Sequence, residues 1–68
     1  MKKKILQQFG DRVREERLKR NLSQEELASL AKVHRTYIGM IERAEKDITL
    51  ENIEKVASAL NMSVKNLF

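Results

Sequence analysis

Apolar positions recur along this chain at intervals of three and four, with capping side chains between the stretches, the pattern of short amphipathic helices. The first stretch, about residues 5–19, places Leu6, Phe9, Val13 and Leu18 on an inward face. Asn21 then supplies a stop, because asparagine tolerates the left-handed conformation at a helix C-terminus. The second helix, about 23–31, opens on Ser23-Gln24-Glu25-Glu26. This is a capping box, in which serine and glutamate satisfy each other's backbone N–H groups, and it contributes about 1 kcal/mol. Its inward residues read as Leu27, Leu30 and Ala31, and it ends near Lys32. A very short turn, Lys32-Val33-His34, leads into a third helix at about 35–43, from Arg35 to Arg43. The fourth, about 49–61, starts at Thr49 as N-cap and carries the buried-stripe spacing Ile53, Val56, Ala57 and Leu60. Ser63 caps a last short helix, 63–68, that ends in Val64, Leu67 and Phe68.

Strand signals are missing: no alternating run of β-branched residues lies between turns. The chain contains no proline, and its glycines are Gly10 and Gly39. No linker, repeat or low-complexity segment divides the 68 residues. The expectation is one all-α domain, 1–68, of five short helices around one core, with a helix-turn-helix at 23–43.

Composition then narrows the chemistry. With no cysteine, disulfides and thiolate metal sites are excluded, and one histidine, His34, cannot build a metal cluster. Neither a metal nor a cofactor is expected. No apolar run approaches the roughly 20 residues that span a bilayer. Met1-Lys2-Lys3-Lys4 resembles the start of a signal peptide, but Gln7-Gln8 interrupts at once where an apolar region would follow. A soluble, cytoplasmic protein without a membrane partner is expected, and Lys2, Lys3 and Lys4 read as a solvated tail. Fourteen basic residues against 10 acidic ones, a net charge of +4, favour a polyanionic partner. Only Phe9, Tyr37 and Phe68 are aromatic, too few for the stacking platform of a single-strand binder.

The third helix carries the sharpest functional signal. With Ile38 and Ile41 turned inward, a step of about 100° per residue points Thr36, Gly39, Met40 and Arg43 outward, with Arg35 at the N-terminal edge. That face has no acid, although 35% of the chain is charged. Such a set suits the major groove, which admits one α-helix and presents base edges to its first turn. Arg35 can bond guanine O6 and N7 together, Thr36 can bond a base or touch a thymine methyl, and Met40 offers apolar contact. Gly39 lets the helix backbone come close to DNA. Ser23 and Gln24 stand at the N-terminus of the second helix, where unpaired N–H groups and the helix dipole favour a phosphate.

The segment Leu22-Ser-Gln-Glu-Glu-Leu-Ala-Ser-Leu-Ala-Lys-Val-His-Arg-Thr-Tyr-Ile-Gly-Met-Ile-Glu-Arg-Ala44 resembles the helix-turn-helix of the phage-repressor (XRE, lambda-repressor-like) family. Phe9-Gly10 with Val13 and Arg17 resembles the family's first helix, and Ile48 to Phe68 its last two. Within the family, His-Arg-Thr-Tyr-Ile followed by Ile-Glu-Arg is similar to the controller proteins of restriction–modification systems. The resemblance implies a transcriptional regulator that binds double-stranded DNA. It implies that Arg35, Thr36, Gly39 and Met40 face bases, and that Ser23, Gln24, Tyr37, Arg43 and Lys46 contact phosphates or flanking bases. It also implies that Arg17 and Glu42 form a structural pair between the first and third helices. Two positions depart from the pattern: Lys32 and Ala44 stand where the family commonly has glycine. A left-handed residue other than glycine costs on the order of 1 kcal/mol, so either the turns accept that strain or their path differs. Glu45 and Asp47, in the following loop, would repel phosphate if they faced it.

One reading helix touches few base pairs, and relatives act as two-fold dimers on palindromic sites. A homodimer is therefore expected, with Met62, Val64, Leu67 and Phe68 as its candidate interface. An enzyme is not expected, since no nucleophile–base pair, phosphate-cradling loop or acid cluster occurs. The alternative is a protein-interaction module, antitoxin-like or an adaptor, that retains the fold. An antitoxin would be expected to carry a toxin-wrapping tail, and an adaptor would not need Arg35 and Thr36 at the start of the third helix.

Overall fold

A computed structural model describes residues 4–45 and 47–68. Four α-helices follow one another: α1 (Lys4–Lys19), α2 (Gln24–Ala31), α3 (Arg35–Glu42) and α4 (Leu50–Ala59). A single 3₁₀ turn, Val64–Leu67, takes the place of the expected fifth helix. Four residues are too few to repay α-helix nucleation, and the tighter turn is the form such short pieces adopt. The described residues contain no strand. Lys4 opens α1, whereas Lys2, Lys3 and Lys46 lie outside the described residues.

The capping chemistry is built as the sequence implies. Ser23 Oγ accepts the Glu26 N–H at 2.9 Å, and the Glu26 carboxylate accepts the Ser23 N–H at 2.8 Å. Thr49 Oγ1 accepts the Asn52 N–H at 3.2 Å and starts α4. At the other ends, all four helices close on a left-handed residue that is not glycine: Asn21, Lys32, Ala44 and Asn61, with φ of 56°, 60°, 55° and 58°. Each closure carries the paired bonds of a Schellman motif. At Lys32 these are Lys32 N–H to Ser29 O (3.2 Å) and Val33 N–H to Ala28 O (3.0 Å). Lys32 and Ala44 thus keep the turn path and accept its strain, and Asn61 ends α4 at Ala59, two residues before the expected limit.

Helix α3 packs against both α1 and α2, and α4 packs against α2 and the C-terminal turn. Phe9, Val13, Leu27, Ile38, Val56, Leu60 and Leu67 fill the centre. Two expected core residues face solvent instead: Leu18 is 50% exposed and Leu30 57%. Leu18 lies about 180° around the helix from Phe9, too far for the α1 stripe of Phe9, Val13 and Arg17 to include it. On α2 the buried arc runs through Leu27, Ala28 and Ala31, leaving Leu30 on its flank. Leu67, expected at a dimer interface, closes the monomer core with no exposed surface. Met62 and Val64 are half-buried against that core. Phe68 is 56% exposed, and its ring stacks on Phe9 with centroids 5.1 Å apart.

Gly10 sets how closely α1 approaches α3. A Cβ at this position would collide with the Ile41 carbonyl oxygen and lie 3.1 Å from that of Glu42. Neither obstacle is a flexible side chain.

Candidate nucleic-acid interface

The exposed face of α3 depends on how the helix starts, how it ends and what holds it. Its N-cap is His34, whose Nδ1 accepts the Thr36 N–H at 3.1 Å. Histidine is a less usual cap than serine or threonine, and residue type alone assigns His34 only to the turn. The signal available was its place immediately before the first periodic residue of α3. With that cap formed, Arg35 and Thr36 project from the first turn, both exposed. Arg35 is not idle: its Nη1 donates to Glu25 Oε2 of α2 at 3.2 Å.

The C-terminal end of α3 is anchored by Glu42. Its carboxylate accepts Nε of Arg17 at 2.7 Å and Nη2 at 3.0 Å, a two-bond fork across the α1–α3 contact. Arg17 Nη1 also donates to the Leu22 carbonyl at 2.8 Å, which fixes the turn before α2. Bonding to Glu42 raises the arginine pKa above its ordinary value. Gln24 joins the same carboxylate, its Nε2 donating to Glu42 Oε1 at 3.1 Å. Three helices therefore meet on one buried carboxylate, whose side chain is 2% exposed. Gln24, expected at a phosphate, is half-buried and spends part of its amide on this junction. Ser23 likewise commits its oxygen and its N–H to the capping box.

On the face itself, Met40 is half-buried and Ile38 and Ile41 are buried, as the helical period requires. Tyr37 is half-buried, and its hydroxyl accepts Asn52 Nδ2 at 3.0 Å, which ties α3 to α4. Gly39 departs from expectation: it is buried and not open to a groove, because the Arg43 guanidinium covers it. Arg43 is 54% exposed and its Nε lies 2.9 Å from Glu45 Oε2. Bonding to Glu45 raises the Arg43 pKa. Glu45 is thus turned toward an arginine. The expected contact at Lys46 lies outside the described residues.

The structure brings Arg35, Thr36 and Met40 onto one helix and Arg43 to its C-cap, with Ser23 and Gln24 beside its anchored end. It does not gather Met62, Val64, Leu67 and Phe68 into one open patch, since Leu67 is inside. Among the described residues no group of three His, Cys, Asp or Glu side chains is placed to hold a metal ion.

Comparison with known proteins points the same way. A family model described as "Helix-turn-helix" matches residues 13–67. Control protein C.BamHI from Bacillus amyloliquefaciens is 50% identical over 60 residues, covering 87% of this chain and 74% of the relative. The crystal structure of the restriction-modification controller protein C.AhdI from Aeromonas hydrophila superposes with a TM-score of 0.90 at 44% identity, over 93% of this chain and 96% of the other. SinR, a master regulator for biofilm formation solved in complex with DNA, has a TM-score of 0.82 at 33% identity, over 87% and 95% of the two chains.

Proposed function

This chain belongs to the helix-turn-helix family, one of DNA-binding transcription regulators and not of enzymes, and we propose that it is a sequence-specific regulator of the restriction–modification controller kind. The observation that carries this reading is the first turn of α3. Arg35 and Thr36 are exposed there on a helix whose opposite end is locked to α1 and α2 through Glu42. A helix held at both ends presents its side chains in one register, which base readout demands.

In this mechanism α3 lies in the major groove. Arg35 exchanges its Glu25 partner for guanine O6 and N7, and Thr36 and Met40 meet the neighbouring base edges. The N-terminus of α2, with Ser23 and Gln24, abuts a backbone phosphate, and the Tyr37 hydroxyl remains able to donate to another. Lys46 adds a positive charge for a phosphate or flanking-base contact. Two copies related by a two-fold axis place two α3 helices about one helical turn apart on a palindromic site. Met62, Val64 and Phe68 supply apolar surface for that pairing. No described helix is long and apolar enough to cross a membrane, and the cytoplasm is where such a regulator meets its operator.

Selection from a random duplex library tests the reading, with the wild type beside an Arg35→Ala, Thr36→Ala variant. A palindrome enriched by the wild type and lost in the variant supports it. No enrichment, or the same weak enrichment by both, favours a protein-interaction module that keeps the fold. Sedimentation of the wild type and Phe68→Ala, free and on the selected duplex, reports the dimer.

A further inference from the structure

Gly39 lies on the face of α3 that points away from the core, yet it is buried, and what buries it is the residue that caps the same helix. A Cβ at Gly39 would stand 2.9 Å from Nη1 of Arg43, 3.5 Å from Nη2 and 3.6 Å from the guanidinium carbon. The arginine side chain therefore runs back along the helix over the preceding turn, the direction helical side chains favour, and does not trail off the C-terminal end. Its guanidinium rests over the middle of the exposed face, on the one residue that has no side chain to displace it.

A second contact orients it. Arg43 Nε lies 2.9 Å from Glu45 Oε2. Glu45 reaches that position because the chain reverses at Ala44, with φ 55°. The reversal is closed by Ala44 N–H to Ile41 O at 3.0 Å and Glu45 N–H to Met40 O at 2.9 Å. With Nε held by the carboxylate, the two terminal nitrogens are left over Gly39, and a pair of donors so spaced matches guanine O6 and N7. A phosphate contact at a helix end needs neither a glycine seat nor an orienting acid.

We propose that Arg43 reads a base, with its guanidinium seated over Gly39 and aimed by Glu45, so that Gly39 and Glu45 are positioning residues for sequence specificity. The inference rests on the DNA-binding function above and changes the parts that the family resemblance implies for Gly39 and Arg43. Gly39 serves the arginine and not the close approach of bare backbone to DNA.

A double-mutant cycle on the selected operator tests it, with affinity measured for the operator and for each single base-pair change. Gly39→Ala, Arg43→Ala, the double variant and Glu45→Ala are compared, each after a thermal melt to confirm folding. Expected is a loss of roughly tenfold in discrimination at one base pair for Arg43→Ala, a similar loss at the same pair for Gly39→Ala, and no further loss in the double variant. Glu45→Ala should blur the same position less. Gly39→Ala should melt no lower than wild type, since alanine favours the helix and the atom it meets is the end of a flexible chain. Equal losses from Gly39→Ala with and without Arg43 would mean that the glycine itself meets DNA, and would overturn the proposal. A uniform loss across all sequences on Arg43→Ala, with a salt dependence shallower by about one ion, would overturn it in favour of a phosphate contact. If the wild type itself selects no sequence, the DNA-binding reading fails and this one falls with it.

Discussion

Glu42, the last residue of α3, accepts two bonds from Arg17 of α1, at 2.7 and 3.0 Å, while both side chains are almost wholly out of water. A buried pair of this kind contributes little against an apolar substitute, but removing one partner leaves a charge with nothing to balance it. Glu42→Ala should therefore destabilise the fold by about 3 kcal/mol and lower the melting temperature by more than about 10 °C. Calorimetry checks this, and an unaltered melt would remove the pair from the account of how α3 is held.

Gly10→Ala should also destabilise, although alanine is the better helix former. The Ile41 and Glu42 carbonyls that a Cβ would meet belong to the backbone of α3 and cannot swing aside. Overpacking of this kind costs about 1–3 kcal/mol, which exceeds the helix-propensity gain of about 1 kcal/mol. Urea unfolding of the variant should show a lower midpoint at unchanged slope.

Arg35→Ala and Gln24→Ala should differ in kind. The first should weaken operator binding by about 1–3 kcal/mol and relax the preference at one base pair. The second should weaken all sequences alike, and should lower the melt slightly because Gln24 also braces Glu42. Titrations on operator and scrambled duplexes separate the two.

Acid should remove the stability that Glu16 gives to α1. Glu16 gathers Arg20, Lys19 and Arg12 around one carboxylate, and hydrogen bonding from Arg20 and then Lys19 holds its pKa down to about 2 from 4.5. A carboxylate with a depressed pKa adds stability that is complete above its unfolded value and disappears as pH falls through its folded one. Glu16→Gln should thus melt below wild type at neutral pH, and the two curves should converge between pH 4.5 and about 2. A gap that persists at the acid end would mean that the glutamate acts through packing and not through charge.

Lys32→Gly should raise the melting temperature. Lys32 holds φ at 60° to close α2, a conformation that costs most residues on the order of 1 kcal/mol and glycine almost nothing. Lys32→Ala is the control for the lost charge and should not stabilise.

What the sequence by itself determined is local. Ser23 with Glu26, Thr49 before its apolar stripe and Asn21 after α1 each act within one turn of chain, so their residue types and spacing predict them. The same holds for the left-handed closures at Lys32 and Ala44, where the resemblance identified the positions and the structure showed the strain accepted. The outward set Arg35, Thr36, Met40 and Arg43 follows from the helical period once Ile38 and Ile41 are inward. Other features were decided only when helices crossed. Leu67 went into the core and Leu18 and Leu30 stayed out, because burial depends on which arc of a helix a neighbour covers, and an apolar residue on the flank has no such neighbour. Gln24 bonded Glu42 from 18 residues away, and Arg35 found Glu25 from 10. Arg43 lies over Gly39, a neighbour one turn away, but it is aimed by an acid that only the reversal at Ala44 brings within reach. Spacing along a chain specifies bonds made inside a turn; bonds made between turns and helices wait on the angles at which those elements meet.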